Sequence, residues 1–249
     1  MTDKIRLNKF IASCGFCSRR KADEYILEGR VKVNGKVVNE IGTSITLKDK
    51  ILIDDKPMAT PKLTYIRYYK PAGYITTMSD EKGRKTIYDL LPPEVKHLKP
   101  VGRLDKDSTG LLIMTNDGDL INQLTHPSVE IPKVYRVVAE GKVTMENMQT
   151  MAKGIEIEKG QIAYADSQII DYEGKNTVLE IILYQGLNRQ IRKMLDFVGH
   201  PVVSLKRTSC ANIDLAGLKR GQFKYLKPKQ IADLKNYIKK LEKQKTKFQ

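Results

Sequence analysis

The stretch VGRLDKDSTGLLIMTNDG, residues 101–118, holds the signals that decide the architecture. Asp105 follows Gly102-Arg103-Leu104 and precedes a turn marked by Gly110. The apolar run Leu111–Met114 then reads as a strand. On spacing alone Asp105 is one acid among 29. Asp107, Asp117 and Asp119 lie close by, so a metal-binding cluster and a plain surface loop are both open readings. The charges fall on both sides of the apolar strand, which disfavours the cluster.

Two further segments flank this one. LYQGLNRQIRKM at 183–194 opens a helix whose apolar positions Ile191, Met194, Leu195 and Val198 follow helical spacing. Arg189 and Arg192 are one turn apart on it, and either could pair with a buried carboxylate and keep it ionised. Contact with RNA phosphates, or plain surface charge, is the other reading of the same arginines. KVYRV at 133–137 places Tyr135 on one strand face with Lys133 and Val137, where an ordinary core tyrosine is also possible. Tyr65–Tyr69 and Val178–Leu183 add strands, and Lys70-Pro71-Ala72-Gly73-Tyr74 reads as a turn.

Towards the N-terminus, Arg6–Ser13 sets Leu7, Phe10 and Ile11 on one helical face. Ser18 reads as the N-cap of a second helix over Arg19–Glu28, which Gly29 ends. Asn34-Gly35 between Val31–Val33 and Lys36–Val38 predicts a hairpin, and Ile51–Ile53 another strand. Arg6, Lys9, Ser18, Arg19, Arg20, Arg30 and Lys32 cluster on these elements as candidate contacts for RNA phosphates. No aromatic stripe for stacking bases is present, which favours shaped, double-stranded RNA over a free single strand. At the other end, Ile231, Leu234, Ile238 and Leu241 mark a basic amphipathic helix that could dock on the body or touch RNA.

Composition sets the class. The 249 residues are 41% hydrophobic and carry a formal charge of +15, which calls for a polyanionic partner or an anionic surface. The excess sits at the ends, +4 over residues 1–60 and +9 over 217–249, against +2 between them. No run approaches the roughly 18 apolar residues of a membrane span. Residues 1–10 lack a signal-peptide core, so the cytoplasm is the expected compartment. Three cysteines make no secreted disulfide framework, and the lone pair Cys14 and Cys17 lacks the two further ligands of a zinc site.

The stretch RLNKFIASCGFCSRRKADEYILEGRVKVNG with the following KVV resembles the S4 RNA-binding domain. KPAGYITTMSDEKGRKTI at 70–87, VGRLDKDSTGLLIMTNDGDLINQLTHP at 101–127, KVYRV at 133–137 and LNRQIRKM at 187–194 together resemble the ribosomal RNA pseudouridine synthases, in the branch that contains RsuA and RluB. The resemblance implies an α+β fold. A small S4 domain at 4–56 and a linker at 57–62 precede a mixed α/β catalytic domain at 63–228, built on a largely antiparallel sheet, and a basic helix and tail at 229–249.

It also implies roles. Asp105 matches the catalytic aspartate, Tyr135 the tyrosine over the target base, and Arg192 the arginine paired with the aspartate. Leu183 matches an apolar residue of the target pocket, Arg103 belongs to the aspartate loop and helps place RNA, and Arg189 joins them at the pocket. The chain departs from many members of the branch in carrying Gln185-Gly186-Leu187 where they have Glu-Gly-Arg. The expected activity is conversion of a specific uridine to pseudouridine in 23S large-subunit ribosomal RNA, by a monomer, with no cofactor or metal implied. Small-subunit 16S RNA as substrate, and a non-catalytic RNA-binding role in ribosome assembly, are the alternatives.

Overall fold

The computed structural model describes residues 4–59 and 62–246. Two compact units divide the chain, one of Met1–Thr64 with Asn116–Gly118, the other of Tyr65–Thr115 with Asp119–Gln249.

In the first unit, helix α1 (Leu7–Ser13) and helix α2 (Arg19–Leu27) have the predicted form. The Ser18 hydroxyl oxygen accepts from the Lys21 amide at 3.2 Å and caps α2. Strands β1 (Val31–Val33), β2 (Lys36–Val38), β3 (Ile51–Ile53) and β4 (Lys56–Pro57) pair in the order β2-β1-β3-β4. Asn34 and Gly35 take φ of 51° and 83°, the left-handed pair that a two-residue hairpin turn requires. Leu7, Phe10, Ile11, Ala22 and Ile26 pack on Val31, Ile45, Ile51 and Ile53, with Cys14 and Cys17 partly buried against them.

The chain turns back just before the expected linker. Asp54 and Asp55 take left-handed φ of 49° and 62°, which aspartate tolerates in turns, and the chain doubles back so that Pro57 faces Leu52. Proline is admitted there because β4 is an edge strand. Thr60 and Pro61 of the expected linker, and residues 247–249 of the expected tail, lie outside the described residues.

The second unit is built on one large sheet. Its main strands are β5 (Tyr65–Lys70), β6 (Thr109–Thr115), β7 (Lys133–Ala139), β8 (Asp166–Glu173), β9 (Asn176–Leu183), β10 (Val202–Cys210) and β11 (Phe223–Tyr225). Their order is β8-β9-β7-β10-β6-β5-β11, and the pairings along it are antiparallel except β10 with β6. Helix α3 (Gly118–Thr125), helix α4 (Met145–Lys153) and helix α5 (Gln190–Phe197) cover the sheet. Helix α6 (Pro228–Thr246) buries Leu234 and Ile238 in the cluster around Leu111, Ile113 and Ile213, so its apolar stripe docks on this unit. Lys239, Lys240 and Lys243 remain on its exposed side. Among the described residues no helix is long and apolar enough to cross a membrane.

Candidate active site

The loop that carries Asp105 is clamped from beneath. Lys70 ends β5, and its side chain is fully buried. Its ammonium donates to the carbonyls of Asp105 and Ser108, each at 2.9 Å, and of Pro71 at 3.1 Å. A buried cation normally needs an opposite charge, but several carbonyl dipoles share the task here. Burial still pulls the Lys70 ammonium down to about 8, against the pull of the Asp105 and Asp107 carboxylates in the other direction. Thr76 adds a second clamp, donating its hydroxyl to the Leu104 carbonyl at 2.8 Å and accepting from the Leu104 amide at 3.3 Å. Loop residues 104–108 are thus fixed through their backbone, which leaves the Asp105 carboxylate unconsumed by structural hydrogen bonds.

That carboxylate borders a cavity of about 690 Å³, of the size that takes a nucleotide. Arg103, Tyr135, Leu183 and Arg189 line it as expected from sequence, together with Lys133, Arg207 and Cys210. The Asp105 side chain is 32% exposed. Tyr135, 8% exposed, lies across from Arg207 in the β7–β10 pairing. Its phenol is pushed up by burial, and the Arg207 guanidinium within hydrogen-bonding reach acts in the opposite direction.

The arginines divide their work otherwise than the sequence suggested. Arg189 does not lie within the helix but caps it, in the left-handed conformation at φ 51°. From there its guanidinium reaches Asp105 at 3.8 Å and Asp107 at 3.4 Å. Arg192, expected against Asp105, instead pairs with Asp107 at 3.1 Å. It is 13% exposed and is not among the residues lining the cavity. The cause is helical geometry: Arg192 projects one turn further along α5 than Arg189 and meets the far end of the loop. Asp107 therefore bridges two arginines, and Arg189 is the cation beside Asp105. Gln190, buried at the start of α5, ties down the preceding segment, donating to the Tyr164 carbonyl at 2.9 Å and accepting from the Leu187 amide at 3.3 Å.

Sequence reading missed Lys70, Asp107, Arg207 and Lys133 as parts of the site. Among the described residues no group of three or more His, Cys, Asp and Glu side chains is disposed to hold a metal ion.

The candidate phosphate contacts of the first unit are also sorted by the structure. Arg19 and Arg20 are exposed at the start of α2. Arg30 is held by Asp54 and Glu28 and lies 4.0 Å over the Tyr25 ring. Lys32 pairs with Asp55 at 2.6 Å, and Arg6 donates to the Gly42 carbonyl. The hydroxyl oxygen of Ser18 serves its helix. Lys9 lies on α1.

Comparison with known proteins places this arrangement. Residues 64–197 match the family model for RNA pseudouridylate synthases, and residues 5–51 match that of the S4 domain. An uncharacterized RNA pseudouridine synthase of Aquifex aeolicus is 41% identical over 93% of this chain and 94% of its own. The ribosomal large subunit pseudouridine synthase B of Bacillus subtilis is 39% identical over 92% of this chain and 95% of its own. A crystal structure of a pseudouridylate synthase superposes with a TM-score of 0.66 at 27% identity, over 92% of this chain and 99% of that one. With the aspartate loop, the tyrosine and the arginine-capped helix gathered at one cavity, and an S4 domain preceding them in sequence, the chain belongs to the RNA pseudouridylate synthase family.

Proposed function

We propose that the protein converts a specific uridine of 23S large-subunit ribosomal RNA to pseudouridine, with Asp105 as the catalytic carboxylate. The reaction detaches uracil at N1, turns it, and rejoins it to the sugar through C5. The observation that carries this reading is the clamped loop, which holds the Asp105 backbone through Lys70 and Thr76 while its carboxylate borders a cavity fit for one nucleotide. Large-subunit RNA is favoured by the likeness to the Bacillus subtilis enzyme, whose name assigns it that substrate.

The residues fit the task. A carboxylate can attack the sugar at C1′, or take the 2′ proton so that a glycal forms, and the Arg189 guanidinium stands 3.8 Å from it. Tyr135 offers a ring on which the base can stack and a hydroxyl that can assist loss of the C5 proton. Leu183, buried beside it, supplies an apolar wall. Arg103 is exposed on the aspartate loop, where it would meet RNA phosphate. Arg192 acts at one remove, holding Asp107 and through it the loop. The target uridine must leave its helix to enter.

Pseudouridine mapping of ribosomal RNA from cells with and without the gene tests the substrate. One site in large-subunit RNA should disappear, and loss confined to small-subunit RNA would refute the assignment. Restoring the gene with Asp105→Asn should leave the site unmodified while the protein binds RNA within a few-fold of normal. Modification by that variant would refute the role of Asp105.

A further inference from the structure

The floor of the cavity carries two neighbouring cations with no carboxylate counter-ion among the described residues. In the β7–β10 pairing Lys133 faces Cys210 and Tyr135 faces Arg207, so Lys133 and Arg207 flank the tyrosine on one face of the sheet. Arg207 is 4% exposed, and its Nε donates to the Leu111 carbonyl at 2.7 Å. The Lys133 ammonium donates to the Ile131 carbonyl at 3.0 Å. Among the described residues no carboxylate lies within 4.0 Å of either charged group. Burial pulls the Lys133 ammonium below its ordinary 10.5; Cys210 beside it acts against that shift, and the neighbouring Arg207 charge adds to it.

Two like charges set side by side in a partly dry cavity cost stability unless an anion completes them. Asp105 and Asp107 are engaged with the arginines of α5, at the other side of the loop. Glu130, the other acid of the lining, forms no ion pair with Lys133 or Arg207, which leaves the substrate as the source of the anion. The ribose phosphates of an extruded nucleotide stay at the mouth, where the strand passes, and the base goes to the floor beside Tyr135. The base becomes anionic only when it is detached.

The geometry points to Arg207, assisted by Lys133, as the group that receives the negative charge of the departing uracil. This rests on the proposed reaction. When the N1–C1′ bond breaks, its electron pair stays on the base and spreads over N1, O2 and O4. C1′ is satisfied by a new bond to an Asp105 oxygen, or by loss of the 2′ proton to that carboxylate with formation of a C1′–C2′ double bond. Neither route requires another reactant. Guanidinium N–H groups aimed at the base oxygens stabilise the charge as it forms, and do so more in the transition state than in the bound uridine. When C5 attacks C1′ the Asp105–C1′ bond breaks, or the carboxylic acid returns its proton to C2′ of the glycal; C5 then loses its proton and N1 gains one, so the charge is consumed and the carboxylate is restored.

A better leaving group needs the cation less, and this gives the test. Single-turnover rates at saturating RNA are measured on one fragment carrying either uridine or 5-fluorouridine at the target, for the full chain and for Arg207→Gln, Arg207→Lys and Lys133→Met. Arg207→Gln should slow uridine about 100-fold and 5-fluorouridine about 10-fold, with Arg207→Lys between it and the unaltered protein. Equal losses on both bases would make Arg207 merely structural and overturn the proposal. A second arm needs no turnover. The free base 5-nitrouracil, anionic at neutral pH, should bind the unaltered protein about 10-fold more tightly than neutral uracil, and Arg207→Gln, or Arg207→Lys if the first variant does not fold, should erode that preference. No preference in the unaltered protein would overturn the anion subsite. Preference without any pseudouridine formation would leave the subsite standing and remove the proposed reaction instead.

Discussion

Gly110 lies so close to Arg207 that a methyl group on its α-carbon would sit 2.2 Å from the Arg207 carbonyl oxygen and 2.5 Å from its amide nitrogen. The pair forms the parallel junction between β6 and β10, and Gly110 adopts φ of +115° there. The close approach lets the Arg207 side chain bond the next carbonyl, Leu111. Gly110→Ala combines a disfavoured φ with a backbone clash and should cost about 3 kcal/mol. Urea unfolding measures the loss, and an alanine variant of unchanged midpoint would show that the strands separate freely.

Lys70 gives the enzyme a pH limit. Its ammonium meets three carbonyls at 2.9–3.1 Å, and a neutral amine has only two N–H groups to give them. With the group pulled down to about 8, single-turnover activity should fall as pH rises through that value. Stability should move the other way. The folded pKa is depressed, so between about 8 and the ordinary 10.5 the unfolded chain binds the proton that the folded chain has lost, and stability rises with pH. Lys70→Met should abolish the step near 8 along with most of the activity. A flat pH–rate profile from 7 to 9.5 in the unaltered protein would rule out this function of the cage.

Arg189 and Arg192 should separate rate from stability. Arg192 is 13% exposed and pairs with an Asp107 that is about half exposed, so Arg192→Ala should destabilise by about 2 kcal/mol, between the ranges for surface and buried pairs. Arg189→Ala, at an exposed cap, should change stability little and lower the rate through Asp105. Paired thermal unfolding and single-turnover assays decide it. The reverse pattern would restore Arg192 as the direct partner of the Asp105 carboxylate.

In the S4 unit, ion pairing inside the protein ranks the candidate RNA contacts. Arg19→Ala with Arg20→Ala should weaken RNA binding and reduce the salt dependence by roughly one counterion per lost phosphate contact. Arg30→Ala and Lys32→Ala remove charges already matched by Asp54 and Asp55, so each should change the salt slope less. Equal slopes for all four would show that these internal pairs open when RNA binds.

Local rules made much of this legible in advance. The Ser18 cap, the stop at Gly29, the Asn34-Gly35 hairpin and the strands on either side of Tyr135 need only neighbouring residues to be read. The residues missed depend on contacts between distant segments. Lys70 beside Pro71 looks like an ordinary surface lysine at the end of a strand, and its burial arises only when residues 105–108 fold over it. Arg207 left a fainter trace. It stands two residues from the buried Leu205 on β10 and so shares its inward face of the sheet, where an arginine requires a reason. The exchange between Arg189 and Arg192 turned on the left-handed φ of Arg189, which no helical pattern encodes.

The strand order also fixes a timetable. The first unit draws almost entirely on pairings within residues 5–57, so it can close while the rest of the chain is still being synthesised. The cavity cannot close early. Its floor needs β7 beside β10, and β10 beside β6, so Asp105 and Tyr135 wait for a strand that begins at Val202. A nascent chain halted before that point holds the carboxylate and the tyrosine but no sheet to join them. Chemistry is thus the last property this polypeptide acquires, which keeps unfinished copies from acting on RNA.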